Sequence, residues 1–202
     1  MKKVARGDLL DLGAYEQLRP HFRARLIEEK KRRRFQPCPE LSVVFENTET
    51  VLFQVQEMLR TERIIAEAGI AHELETYNEL VPADGELSLT MFVEIPDRAT
   101  RDRRLAELAG LENAVALELD GQLFPARSET RGVLEGTTTA VHYMKVPIGA
   151  AGVATLAKAA RDPAVSVQFV VRHAALSVRT PVPPHVLRAL AADQGWTDPS
   201  TP

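Results

Sequence analysis

Between Leu41 and Pro82 the chain passes from a short apolar run straight into a long amphipathic segment, and this join constrains what the rest can fold against. Leu41, Val43, Val44 and Phe45 read as a strand. Asn47 and Thr48 carry side-chain oxygens that can accept from the free N–H groups of a helix's first turn, so a helix starts at about Asn47. Its apolar stripe runs Val51, Leu52, Val55, Met58, Leu59, Ile65 and Ala66, the spacing of a buried face. Glu62 falls inside that stripe, and Gln54, Glu57 and Thr61 form a second row beside it. Two readings stand. Either Glu57 and Glu62 border the core and pair with Arg60, Arg63 or a neighbouring element, or Glu62 is a partly buried carboxylate at a ligand or metal site.

Before this stretch, Asp8 and Asp11 are capping candidates, and Tyr15, Leu18, Phe22, Leu26 and Ile27 recur at helical intervals. Pro20 interrupts them. The pattern predicts one short helix to about Arg19 and a second from Pro20 to Arg34, with proline at its tolerated first position. Phe35 to Glu40 is a proline-bounded linker containing Cys38, the single cysteine. One cysteine cannot make an internal disulfide or a cysteine-built metal site within one chain, which fits a reducing compartment. After the long helix, Gly69 marks a stop or bend, and His72 to Leu80 forms a shorter helix ended by Pro82 and the Asp84-Gly85 turn.

From Gly85 onward two segments follow one plan. Residues 89–96 are a strand, followed by a helix from Arg98 to Ala109, then strands at 114–120 and 122–128. Residues 140–147, a helix from Gly149 to Ala160, and strands at 164–170 and 175–181 run in the same order. Pro96 and Pro147, and Val115 and Val165, fall 51 and 50 residues apart, which aligns the two units as β-α-β-β and makes Glu94 the counterpart of Lys145 and Met91 that of His142. The expected fold is α+β: an N-terminal helical layer packed on a mostly antiparallel sheet built from two β-α-β-β units. One domain of 202 residues is expected, with residues 1–84 helical apart from one strand, 85–135 the first unit, 136–182 the second, and 183–202 a C-terminal helix and tail. Trp196 is placed to pin that C-terminus, and residues 197–202 have the composition of a disordered end.

With 45% apolar residues, no run of about eighteen such residues and no secretory leader at the N-terminus, the expectation is a cytoplasmic protein without a membrane span. The net charge of −3 hides a basic run from Arg19 to Arg34. Lys30, Lys31, Arg32, Arg33 and Arg34 close a helix, where cations complement the dipole, and they also offer a basic surface to an acidic protein partner. Nucleic acid is disfavoured by the acidic total and the few aromatics near the run. An open sheet edge makes a homodimer a second expectation.

Chemical motifs are scarce. There is no phosphate-cradling glycine loop, nucleophile elbow or dinucleotide fingerprint, and His72-Glu73 has Thr76 where a zinc-protease motif needs its second histidine. The histidines, His21, His72, His142, His173 and His185, are scattered. His142 shares a strand face with apolar neighbours, so it is either a satisfied core histidine or the partner of a carboxylate from the central helices. Glu57 and Glu62 lie about 140° apart around their helix, so a site has to choose Glu62. Glu73, Tyr77 and Asn78 come from the following helix, which Gly69 lets fold back alongside. The candidate polar site is therefore Glu62, His142 and some of Glu73, Tyr77 and Asn78. Two carboxylates and an imidazole suit iron, manganese or zinc, with Glu62 and His142 as ligands, or proton transfer; without a metal they are a hydrogen-bonded structural network.

The strings FENTETVLFQVQEMLRTER, YNELVP, LTMFVEI and TAVHYMKVP resemble the bacterial domain-of-unknown-function family 3501, proteins of roughly this length. The resemblance spans Leu9 to about Leu190 and picks out Glu46, Asn47, Gln54, Glu57, Met58, Glu62, Glu73, Tyr77, Asn78, Pro82, Glu94 and His142. Members of that family are often encoded beside rubrerythrin-like proteins and iron–sulfur oxidoreductases. The resemblance thus implies an accessory or protein-binding role linked to redox or peroxide metabolism, with no activity attached. The alternative is a metal-binding protein or enzyme whose carboxylate/histidine site lies between the central helix and the sheet. The neutral, Ala-rich second helix and the proline-rich tail depart from the family pattern.

Overall fold

The computed structural model describes residues 1–128 and 136–195; Trp196 and the tail at 197–202 lie outside the described residues. A 22-residue helix, α1 (Leu12–Arg33), is capped by the Asp11 carboxylate on Ala14 N at 2.9 Å. It runs unbroken through Pro20, where two helices were expected. Pro20 lies on the exposed side of α1, so the backbone hydrogen bond it cannot donate costs no buried acceptor. The expected linker is instead a strand, β1 (Arg34–Cys38), which turns back antiparallel on β2 (Leu41–Phe45). β1 is an edge strand, the one place in a sheet where Pro37 removes no ladder bond that must be made, and the register shifts between Phe35 and Cys38.

The join between β2 and α2 (Thr48–Glu62) falls where the sequence puts it. Asn47 Oδ1 accepts from Thr50 N at 2.9 Å while Thr50 Oγ1 accepts from Asn47 N at 3.0 Å, a reciprocal cap. Val51, Val55 and Leu59 are buried. The stripe does not continue to Ile65 and Ala66: Arg63 takes a left-handed conformation (φ 54°), Ile64 N returns to Leu59 O, and α2 ends. Ile65 is left 76% exposed, and Ala66 caps α3 (Glu67–Asn78). Gly69 sits inside α3 rather than ending a helix. A Cβ there would lie 2.7 Å from Ile64 Cγ2, so its hydrogen is what lets the turn close against α3.

The remaining chain runs β3 (Glu86–Val93), α4 (Arg98–Glu107), β4 (Val115–Leu119), β5 (Gln122–Pro125), β6 (Arg127–Ser128), β7 (Val141–Pro147), α5 (Gly149–Ala159), β8 (Val167–His173), β9 (Leu176–Pro181) and α6 (Pro184–Asp193). The fold is α+β, and both β-α-β-β runs are present, but they build two antiparallel sheets where one was expected. The five-stranded sheet has the order β1-β2-β3-β7-β6 and the four-stranded sheet β5-β4-β8-β9. The two runs meet along β3–β7 in one sheet and β4–β8 in the other.

Alternation decides what lies where. Leu87, Leu89, Met91 and Val93 of β3 join Met144 and Val146 of β7, Leu117 of β4 and Phe169 of β8 in one core between the sheets. Phe35 bridges it, edge-on to Phe169 at 5.8 Å. Val186, Leu187 and Leu190 of α6 join the same core. The other face of the five-stranded sheet meets the helices, where Val51, Val55, Leu59, Ile70, Leu80 and Val81 form a second core that takes Tyr143 from β7. The five-stranded sheet is thus covered on both sides.

Two buried amides fasten the N-terminal segment to that helical layer. Asn78 accepts from Val4 N and donates to Val4 O, both at 2.8 Å, and Gln56 does the same with Leu10 at 3.0 Å. Each side chain imitates one rung of a β-ladder. Either Asn78→Ala or Gln56→Ala leaves a buried N–H and C=O unpaired, and urea unfolding is expected to show losses of about 2 kcal/mol or more. Gln54→Ala, two residues from Gln56 and only half-buried, is expected to stay within about 0.5 kcal/mol.

Candidate functional site

The five-stranded sheet separates the residues that sequence reasoning had gathered into one site. His142 is the cross-strand partner of Met91, so both side chains point to the core between the sheets. Glu62, Glu73, Tyr77 and Asn78 belong to α2 and α3 on the opposite side. Glu62 is exposed: it lies on the helix face that Leu59 begins, but α2 stops there and nothing covers the next turn. Glu73 is half-buried on α3, Tyr77 packs on the helical-layer core, and Asn78 is committed to Val4. Among the described residues no three His, Cys, Asp or Glu side chains are arranged to hold a metal ion. Glu62 and His142 lie on opposite sides of the five-stranded sheet and do not meet.

A different polar cluster is buried between β2, β3 and the helices. Glu46 continues β2 by one residue, with its N–H on Ser88 O at 2.8 Å. Its carboxylate accepts from Thr90 Oγ1 and Thr50 Oγ1, each at 2.5 Å. The neighbouring Asn47 donates through Nδ2 to Glu29 of α1 at 3.0 Å. Glu29 in turn binds Arg33 and Arg32, and Arg33 reaches Asp193 of α6, with Nη2 to Oδ1 at 2.8 Å. The series runs from the sheet through α2 and α1 to α6. Burial by itself would raise the Glu29 carboxyl, but Arg33 and Arg32 outweigh it and hold the group below the usual carboxylate range. Ser88 Oγ, on the same sheet face, is buried without a hydrogen-bond partner among the described residues.

Glu57 serves a second junction. It accepts from Tyr15 at 2.7 Å and from Arg19 at 2.7 and 2.9 Å, joining α1 to α2. The Arg19 guanidinium is the main reason its carboxyl is held down to about 2. Tyr15, fully buried, is pushed up chiefly by that burial and then by Glu57. Glu94 binds Arg34 and accepts from Ser42 Oγ at 2.8 Å. Its supposed counterpart Lys145 instead donates to Glu86 at 2.8 Å. The basic run is largely spoken for: Arg33 is 4% exposed, Arg32 binds Glu29, Lys31 binds Glu28 and Arg34 binds Glu94. Lys30 to Arg34 is therefore not one uniform surface: Arg33 faces inward, and Lys31, Arg32 and Arg34 are exposed with carboxylate partners of their own.

His142 has its own neighbours, which sequence reasoning missed. Its Nε2 lies 3.3 Å from Thr138 Oγ1, which also lies 3.2 Å from Glu112 Oε2 on a short 3-10 helix, Leu111–Asn113. Burial lowers the imidazole from its ordinary value, with Glu112 and the Thr139 backbone pulling the other way. A hydroxyl beside an imidazole has the form of a nucleophile and its base. Thr138 is nevertheless 4% exposed, and its N–H is taken by Leu105 O at 3.0 Å. The one hint in the sequence was the Thr137-Thr138-Thr139 run ahead of an inward-facing histidine.

An open cleft beside α4 carries Glu94, Ile95, Thr100 and Arg103, and its Arg104 is bound by Glu40, Glu107 and Ala175 O. A family model described as "Protein of unknown function (DUF3501)" matches residues 3–194. The chain belongs to this family. A crystal structure of a protein of unknown function from Burkholderia pseudomallei K96243 is similar throughout, with 32% identity, a TM-score of 0.86, and coverage of 95% of this chain and 99% of that one. No curated protein matches the chain. In DUF3501 terms, Glu46, Asn47, Glu57 and Asn78 of the recognised pattern hold elements together in this member.

Two outcomes check these assignments. Arg33→Met strands Glu29 and Asp193 at a buried junction and should cost about 3–5 kcal/mol in urea unfolding, whereas Arg32→Met, mostly exposed, should cost under about 1 kcal/mol. Because the folded Glu57 carboxyl lies below its unfolded value, the stability it adds is complete above the ordinary glutamate value and lost as pH falls toward about 2. Glu57→Gln should therefore flatten the acid limb of a stability profile measured between those limits.

Proposed function

We propose that the chain is a single-domain, cytoplasmic protein-binding module that docks an acidic partner protein through the outer face of α1. The observation that carries this reading is Ile27, 51% exposed in the middle of a charged helix. Arg23 and Lys30 lie four residues before and three after it, on the same helix face, and neither has an ion pair among the described residues. Pro20 and Ala24 extend the face into a shallow apolar cleft. An exposed aliphatic side chain ringed by unpaired cations, on a protein of net charge −3, suits an acidic surface with an apolar centre. No helix among the described residues is long and apolar enough to cross a membrane. That the partner is a redox protein, of the rubrerythrin or iron–sulfur oxidoreductase kind, is supported by the family resemblance alone.

The test is retention of partner protein by Arg23→Glu/Lys30→Glu and by Ile27→Asp, with Arg33 left intact because its loss strikes the fold. Wild-type protein isolated from its native cells at low salt should carry a stoichiometric acidic protein that both variants lose while melting at the wild-type temperature. Undiminished recovery with both variants would overturn the reading. Light scattering that shows a wild-type dimer abolished by the same changes would assign the face to a second copy of the chain instead.

A further inference from the structure

We infer that His142, Thr138 and Glu112 form an acid-sensitive latch, in which protonation of the imidazole frees residues 136–140 from the 3-10 helix at Leu111–Asn113 and opens the edge of the inter-sheet core. Thr138 donates its one hydroxyl proton to Glu112 Oε2 at 3.2 Å, so His142 Nε2, 3.3 Å from the same oxygen, pairs with it as a donor. A neutral imidazole with its proton on Nε2 completes this series. The imidazolium completes it in the same way and adds a charge.

Charge decides against the imidazolium. His142 is 5% exposed, faces Met91 across the strand pair and shares its strand face with Met144 and Val146. The short 3-10 helix presents Glu112, the one charged group that bears on the imidazole among the described residues, and α4 presents Leu105, packed against the core. Thr138 stands between the two charges. An imidazolium can gain direct pairing with Glu112, or water, only if Thr138 moves aside. Among the described residues, what opposes that movement is Thr138 N to Leu105 O, Val93 N to Ala140 O at 2.8 Å, the bridge at Thr137, the Thr139 backbone contact with the imidazole, and the hydroxyl contacts themselves. The folded imidazole lies below its unfolded value, so the neutral latch stabilises the closed form above the ordinary histidine value and loses that contribution as pH falls through it.

The test follows the full chain by NMR from pH 8 to 4.5, reading the His142 imidazole and the protection of the Thr138 amide against exchange. His142 should titrate below the ordinary histidine value, and Thr138 protection, corrected for intrinsic rates, should be lost in step with it. Glu112→Gln should move the His142 midpoint further down, the direction opposite to simple exposure of the ring. Titration of His142 at or above the ordinary histidine value, or Thr138 protection that stays constant while His142 protonates, would overturn the latch. Wild-type protein alone supplies both readouts, so the outcome does not depend on a variant folding.

Discussion

A sheet covered on both faces must bury whatever its strands carry, and β3 carries Ser88 and Thr90 toward the helices and only apolar side chains toward the second sheet. That asymmetry sets the architecture. The apolar face can meet any well-shaped apolar surface, but the hydroxyl face needs partners placed at hydrogen-bond distance. Glu46 and Asn47 meet that need in part from the β2–α2 join, Glu46 binding Thr90 and Thr50 while Asn47 caps α2 and holds Glu29, and the Ser88 hydroxyl is left without a partner among the described residues. Since Glu29 also binds Arg33, and Arg33 binds Asp193, the position of α6 is tied to the same hydroxyl face through Glu46, Asn47, Glu29 and Arg33. Breaking the series anywhere leaves a buried charge or amide without its complement, which is why its members are not interchangeable with apolar residues one at a time.

Much of the secondary structure could be read from the chain because local chemistry decides it. Asn47 starts α2 by its own capping bond, and both β-α-β-β runs follow the alternation of their strands. The misreadings share a cause: each concerned a residue whose local preference was overruled by where it sits. Pro20 removes one backbone bond of α1 and crowds the carbonyl one turn before it, but on the exposed side, where water can pair with that carbonyl, and Pro37 lies on an edge strand, where a missing N–H leaves no ladder partner unmet. Ile65 extends the apolar spacing of α2, but Arg63 adopts the left-handed turn usually given to glycine, so spacing continued where the helix did not. A second sheet was not legible because alternation reports that a strand has an inner face without saying what that face meets.

The same limit divided the candidate site. His142 was placed on an inward face, and it is inward, but the face it shares with Met144 and Val146 looks toward the four-stranded sheet. Glu62 was placed on the inner side of α2, whose inner side looks at the opposite face of the five-stranded sheet. Two residues can each be inward and still be separated by the sheet they share. The neighbours His142 does have, Thr138 and Glu112, are near it because β7 and the short 3-10 helix adjoin, a contact with no periodic signature.

Helix α1 shows how a charged run divides between structure and surface. Glu29 and Arg33 are four apart and face inward, where they pair with each other and with Asp193; Arg23, Ile27 and Lys30 repeat at the same helical interval on the outer side. Counting the cations from Arg19 to Arg34 as a block merges these two populations and overstates the charge presented to a partner. Separated by face, the inner cations neutralise buried carboxylates and contribute little to long-range attraction, whereas on the outer side Arg23 is exposed and Lys30 half-buried, and both are screened by salt. An association made through α1 should therefore be salt-dependent and modest in charge, with Ile27 supplying the contact that excludes water, while the inner half of the same helix holds that face in place through Arg33 and Asp193.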